Sequence, residues 1–153
     1  LAIEGASLIA HVTYAALWDW STEAILKELP NWCQSDEYQA KVEACIKPVS
    51  SLDEVPLVTV KRELGNGVVA TESSVTAIYF ALRYRNQKYD LMLEQICLLG
   101  GDTDTIAAMA GAIWGAFHGG DALDKTKISC VERSEAIMSL AKELHELSSG
   151  NQG

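Results

Sequence analysis

Residues Leu98–Gly120 read LLGGDTDTIAAMAGAIWGAFHGG. A Gly-Gly pair leads into two Asp-Thr pairs, and these open directly onto small and apolar residues. The pattern predicts a helix from Asp102 to His118, stopped by Gly119 and Gly120. Asp102 is then an N-cap candidate, with Asp104 and Thr105 in the first turn. Free N–H groups and the positive end of the helix dipole stabilise carboxylates there. One carboxylate suffices for a cap, and two Asp and two Thr in four residues exceed that need. At a loop-to-helix junction the i, i+2 spacing lets two carboxylates and a hydroxyl converge. Hard oxygen donors of this kind suit Mg2+ or Ca2+. Gly100 and Gly101 permit a sharp turn and close approach of a ligand. Downstream, Ala107, Gly111 and Gly115 recur every fourth residue beside Ala108 and Ala112. That stripe predicts close helix packing and a central, buried helix presenting ligands with little positional slack.

Two other readings of the aspartates are tested by the letters. An EF-hand loop starting at Asp102 needs Gly at its sixth position and Glu at its twelfth. Ala107 and Ile113 stand there, so the loop is excluded. The phosphatase pattern D-x-D-x-T/V fits Asp102 and Asp104 after the apolar ICLL, but Ile106 replaces Thr or Val. A parallel sheet also needs long crossover connections, for which little chain follows. A phosphatase is the remote alternative.

The rest of the chain reads as helix. Leu8, Ile9, Val12, Ala15 and Ala16 mark one face of a helix from Ile3 to about Trp20. Ser21 is expected to cap a helix to about Leu29, and Ser35 one to about Ile46. Lys47–Pro56 is expected as a loop. A short helix over Leu57–Leu64 is stopped by Gly65, and GNG at 65–67 reads as a helix-to-helix turn. Further helices are expected over Ser74–Tyr84 and Tyr89–Leu98. Ser129 and Glu132 form an S-x-x-E capping box before a last helix, with Val131, Ile137, Leu140, Ala141, Leu144 and Leu147 on one face.

Composition narrows the function. The chain has 153 residues, 48% of them hydrophobic, and a formal net charge of −9. Such a balance argues against nucleic-acid binding, which needs a positive surface. No apolar run reaches the ~18 residues of a membrane span, so neither nucleic acid nor membrane is an expected partner. Cys33, Cys45, Cys97 and Cys130 form no CxxC pair. They read as reduced, mostly buried structural thiols, which favours an intracellular setting. The start, LAIEGASLIAH, has no signal-peptide pattern and reads as a fragment or processed chain. His11, His118 and His145 lie apart with no nearby nucleophile, and read as surface or satisfied histidines. Trp18, Trp20 and Trp32 are expected to pack together as core. Lys61, Arg62 and Arg83 are expected as solvated surface.

GGDTDTIAAMAGAIWGAFHG resembles the C-terminal signature of the ADP-ribosylglycohydrolase family, and ELGNGVVATESSVTAIYFALR, Glu63–Arg83, is similar to a second segment of it. Thr103 and Thr105 stand where the arginine-specific branch carries serines, which places the resemblance nearer the branch acting on serine-linked ADP-ribose and poly(ADP-ribose). The resemblance implies an all-α, compact orthogonal helical bundle. Residues 1–147 would be the C-terminal part of one such domain, with 148–153 a flexible tail. It implies two Mg2+ ions, with Asp102, Asp104 and Thr105 as ligands and Asp104 bridging. Gly67, Val68 and Ser73 would lie near bound ADP-ribose. For Val68 plain core packing stays open, and for Ser73 an N-cap role before Ser74. The family's N-terminal acidic segment, its glutamate and its glycine-rich loop have no counterpart here, and the residue that performs catalysis is not identified. The implied activity is Mg-dependent hydrolysis of ADP-ribose from protein side chains or polymer, with an N-terminal segment as partner. A non-catalytic, crystallin-like member of the same fold is the alternative.

Overall fold

A computed structural model describes the backbone of residues 1–150 and side chains to residue 148. It is helical, and the described residues contain no strand. The helices are α1 (Ala2–Leu17), α2 (Thr22–Glu28), α3 (Asp36–Ser50), α4 (Leu57–Glu63), α5 (Ala70–Arg83), α6 (Tyr89–Leu99), α7 (Thr103–His118), α8 (Lys125–Ser129) and α9 (Ser134–Gly150). Short 3-10 turns cover Leu29–Trp32 and Gly120–Ala122. None of the described helices is long and apolar enough to cross a membrane. The all-α expectation is thereby met. The chain divides into two compact units, Leu1–His118 and the segment from Gly119 onward.

In the first unit the central helix is α5, not α7 as the small-residue stripe implied. α5 packs against α1, α3, α6 and α7, and every residue from Ser73 to Leu82 is buried. From Val75 to Leu82 only Thr76 is polar, and a helix stretch so apolar on all sides belongs in a core. Its hydroxyls are satisfied at short range: Ser74 Oγ donates to Ala70 O at 2.5 Å and Thr76 Oγ1 to Gly65 O at 2.9 Å. α7 buries one side only, through Ile106, Ala110, Ile113 and Trp114, while Ala108 and Ala112 are exposed. A methyl group at Gly115 would meet open space, so that glycine is not a close-packing site.

Several boundaries move for identifiable reasons. Ser21 and Ser35 cap their helices as expected, accepting from Ala24 N–H at 3.1 Å and Tyr38 N–H at 3.4 Å. α3 continues to Ser50, so the expected loop starts four residues late. Tyr38, Val42, Cys45 and Val49 recur on one buried face and carry the helix past Pro48. α5 starts at Ala70 rather than Ser74, so Ser73 is an interior residue and not an N-cap. Its hydroxyl donates back to Val69 O at 3.3 Å. Val69 offers no side-chain cap, which hides this start from a search for Ser, Thr, Asp or Asn.

Cys45 is buried and Cys33 half-buried, but Cys97 and Cys130 are exposed, so only part of the buried-thiol expectation holds. The tryptophans are not core either. Trp18 is 61% exposed, and Trp20 lies 6.5 Å from Trp32, which stacks on His11 at 5.1 Å. Arg83 is not free in solvent; its guanidinium donates to the carbonyls of Ser51 and Asp53 and ties down the loop before α4.

The second unit holds α8 and α9. No capping box forms: Ser129 ends α8 and donates to Thr126 O at 2.7 Å. Arg133, at φ 59°, breaks the chain before α9 begins at Ser134. The expected apolar face of the last helix is solvent-exposed, including Ile137, Leu140, Leu144 and Leu147. Of the expected tail, 148–150 form the end of α9, and 151–153 lie outside the described residues.

Candidate functional site

The two sequence segments that carry the resemblance meet in space. α6 ends at Leu99, and the chain turns through Gly100 (φ 71°) and Gly101 (φ 79°) into α7. A Cβ at Gly101 would lie 2.0 Å from Asn66 O, so only glycine fits there. Against this turn sits the loop between α4 and α5. Asp102 N–H donates to Asn66 O at 2.8 Å, and Asn66 Nδ2 donates to Leu99 O at 3.2 Å.

The α4–α5 loop is itself braced. Lys41 Nζ donates to Glu63 O and Leu64 O at 3.1 and 3.0 Å. Thr76 holds Gly65 O, and Glu72 Oε2 accepts from Gly67 N–H at 2.9 Å. Gly65, at φ 91°, closes against the Glu72 side chain. The sequence reading passed over Asn66 and Glu72. An Asn between two glycines reads as turn chemistry, and nothing in the letters shows its partner 33 residues away.

The three expected metal ligands stand together at the start of α7. Asp102 is half-buried, and Asp104 and Thr105 are exposed. Thr105 Oγ1 donates to Asp102 Oδ1 at 2.9 Å. The Thr105 backbone N–H, with the Asp102 side chain and its own backbone N–H, holds the Asp104 carboxyl below the usual carboxylate range. Hard oxygen donors of this kind suit a divalent cation such as Mg2+. They fit as one edge of its shell and no more. Among the described residues no group of three or more His, Cys, Asp or Glu side chains could hold a metal.

Of the residues expected near a ligand, Gly67 and Val68 lie on the braced loop. Val68 is 81% exposed, which overturns the core-packing alternative for it. Ser73 is buried beneath, with its hydroxyl bonded to Val69 O. The histidines are accounted for as expected. His11 stacks on Trp32, His118 Nε2 lies 2.7 Å from Arg85 O, and His145 is on exposed α9. A cleft of about 450 Å3 between α3 and α4, lined by residues that include Lys47, Thr59 and Arg62, shares none of the site residues.

Comparison with known proteins identifies relatives of the chain. The family model for ADP-ribosylglycohydrolase matches residues 1–153. The chain is 40% identical over 111 residues to ADP-ribosylhydrolase ARH3 of Gallus gallus, covering 67% of this chain and 30% of that protein. It is 41% identical over 97 residues to the Homo sapiens protein of the same name, covering 58% and 27%. It is 35% identical over 137 residues to the Escherichia coli protein YegU, covering 81% and 40%. The matched part is less than a third of the length of the two vertebrate proteins.

Proposed function

The chain belongs to the ADP-ribosylglycohydrolase family, and from that membership we propose that it forms part of a Mg-dependent hydrolase releasing ADP-ribose. The substrates would be O-linked, serine-type protein conjugates or poly(ADP-ribose). What carries the reading is the Asn66–Asp102 junction, which sets the loop bearing Gly67 and Val68 against the oxygen donors of α7. In this proposal Asp102, Asp104 and Thr105 are the residues of this chain that would hold two Mg2+ ions. When bound, such a pair acts as Lewis acid, orients the ribose hydroxyls and lowers the pKa of water. The chain's own residues bind and orient. Gly67 lets the loop close on Glu72, whose carboxylate a Cβ there would meet at 2.9 Å, exposed Val68 offers an apolar contact, and buried Ser73 holds Val69 and so the loop in place. We propose an intracellular setting, and the net charge of −9 disfavours nucleic acid as a partner.

Charge sets what else is needed. Asp102 and Asp104 bring two negative charges against four positive ones, and Mg2+ takes six oxygen ligands. An N-terminal segment, supplied from outside this chain, would complete the shell. The second reading is a non-catalytic member of the same fold. The test is calorimetry of Mg2+ and ADP-ribose binding to this chain, alone and with the N-terminal part. Weak binding alone and tight binding with turnover together is the expected result. Tight binding or turnover by the chain alone refutes the half-site, and an inert combined protein favours the non-catalytic reading.

A further inference from the structure

We infer that Asn66 is a positioning residue that locks the hinge between α6 and α7 and thereby sets where Asp102 stands. The inference rests on the metal reading proposed for Asp102. Two consecutive left-handed glycines, Gly100 and Gly101, are the most permissive joint a chain can have. They stand between the last residue of α6 and the first proposed ligand. Asn66 brackets that joint on both sides. Its side-chain amide donates to Leu99 O, before the glycines, and its carbonyl accepts from Asp102 N–H, after them. The fit is close enough that Gly101 has no room for a Cβ against it. Asn66 is itself anchored, because Thr76 and Glu72 hold the glycines on either side of it. One residue thus joins the loop proposed to meet ADP-ribose to the residues proposed to meet metal.

The side chain is what the hinge demands. Leu99 O is an acceptor, so the partner must be a donor. An Asp of the same shape would set a carboxylate against a carbonyl, and an Ala would leave the bond unmade. Groups outside the ligand shell that orient ligands typically carry 10–100-fold in metal affinity.

The experiment is a Mg2+ titration of the full-length protein without nucleotide, comparing wild type with N66A, N66D and T71V. Thr71→Val removes a hydrogen bond between α5 and α3, to Glu37 at 3.0 Å, without touching the hinge or the residues that anchor Asn66, so it reports what general loosening does. The expected result is a loss of about 10-fold in Mg2+ affinity for N66A and N66D, with T71V staying within about twofold of wild type despite a lower melting temperature. Wild-type affinity in N66A and N66D overturns the inference. So does an equal loss in T71V, which would make the effect one of stability alone. Wild type that binds no Mg2+ brings down the metal reading itself, a result distinct from either.

Discussion

Gly5 of α1 faces the Tyr38 side chain of α3 and Ser74 of α5, and substituting it by Ala tests that packing. An added Cβ would lie 2.2 Å from Tyr38 Oη and 3.3 Å from both Tyr38 Cζ and Ser74 Oγ. The first contact is more than 1 Å inside the ~3.5 Å of ordinary van der Waals approach. Tyr38 is 0% exposed and cannot swing into solvent. Ser74 spends its only proton on Ala70 O, so in the 3.3 Å pair Tyr38 donates to Ser74 Oγ. Gly5→Ala must therefore shift Tyr38 or part the helices. Overpacking costs about 1–3 kcal/mol and losing the Tyr38 bond about 1 kcal/mol. Ala over Gly within a helix returns about 1 kcal/mol. The net expectation is destabilisation of about 1–3 kcal/mol. In a Tyr38→Phe background the offending oxygen is gone, and Ser74 keeps its bond to Ala70. Gly5→Ala should there be neutral or stabilising by up to ~1 kcal/mol. Urea unfolding of the four proteins, followed by circular dichroism, gives the coupling. An equal loss from Gly5→Ala in both backgrounds would refute the contact as its cause.

Two further outcomes follow from the same structure. Gly111→Leu should destabilise by about 1–3 kcal/mol, because its Cβ already meets Tyr89 Oη at 2.8 Å, whereas Gly115→Ala, facing open space, should stabilise by up to ~1 kcal/mol; thermal melts with the same sign for both would show that the two positions are alike. Burial pushes the Cys45 thiol from 9.0 up to about 12, so above about pH 9 the unfolded chain loses a proton that the folded chain keeps, and stability falls as pH rises by about 1.4 kcal/mol per unit; Cys45→Val should lessen that alkaline slope in urea midpoints, and an unchanged slope would assign it to other groups.

Much of the fold was legible because helix signals are local. Ser21 and Ser35 cap where their letters say, and Gly65 and Gly119 stop helices with positive φ. The failures are equally physical. The S-x-x-E at Ser129–Glu132 is a valid capping box by its letters, yet left-handed Arg133 delays the helix start to Ser134. α3 passes Pro48 because its buried face outweighs one lost backbone bond. The choice of α7 as the centre failed for a different reason. Small residues at every fourth position permit close packing but do not require it, and α5, with large Tyr79 and Phe80 beside small hydroxyl residues, fills the centre instead.

The candidate site shows the same division between local and distant information. Asp102, Asp104 and Thr105 were readable because their excess over a cap lies within four residues. Gly67 and Val68 were reached by resemblance alone. Their relation to the aspartates depends on Asn66, and a contact 33 residues away leaves no trace in one sequence. Glycine illustrates the limit best. Gly100 and Gly101 are adjacent and both left-handed, yet a Cβ at Gly100 meets nothing and one at Gly101 meets a backbone oxygen at 2.0 Å. Gly100 is held by conformation alone and Gly101 by conformation and by Asn66. Substituting Ala at either strains the turn, but only at Gly101 does it also drive the α4–α5 loop away from Asp102. A letter thus marks where the chain must bend, and the structure adds which bends also join two parts of the site.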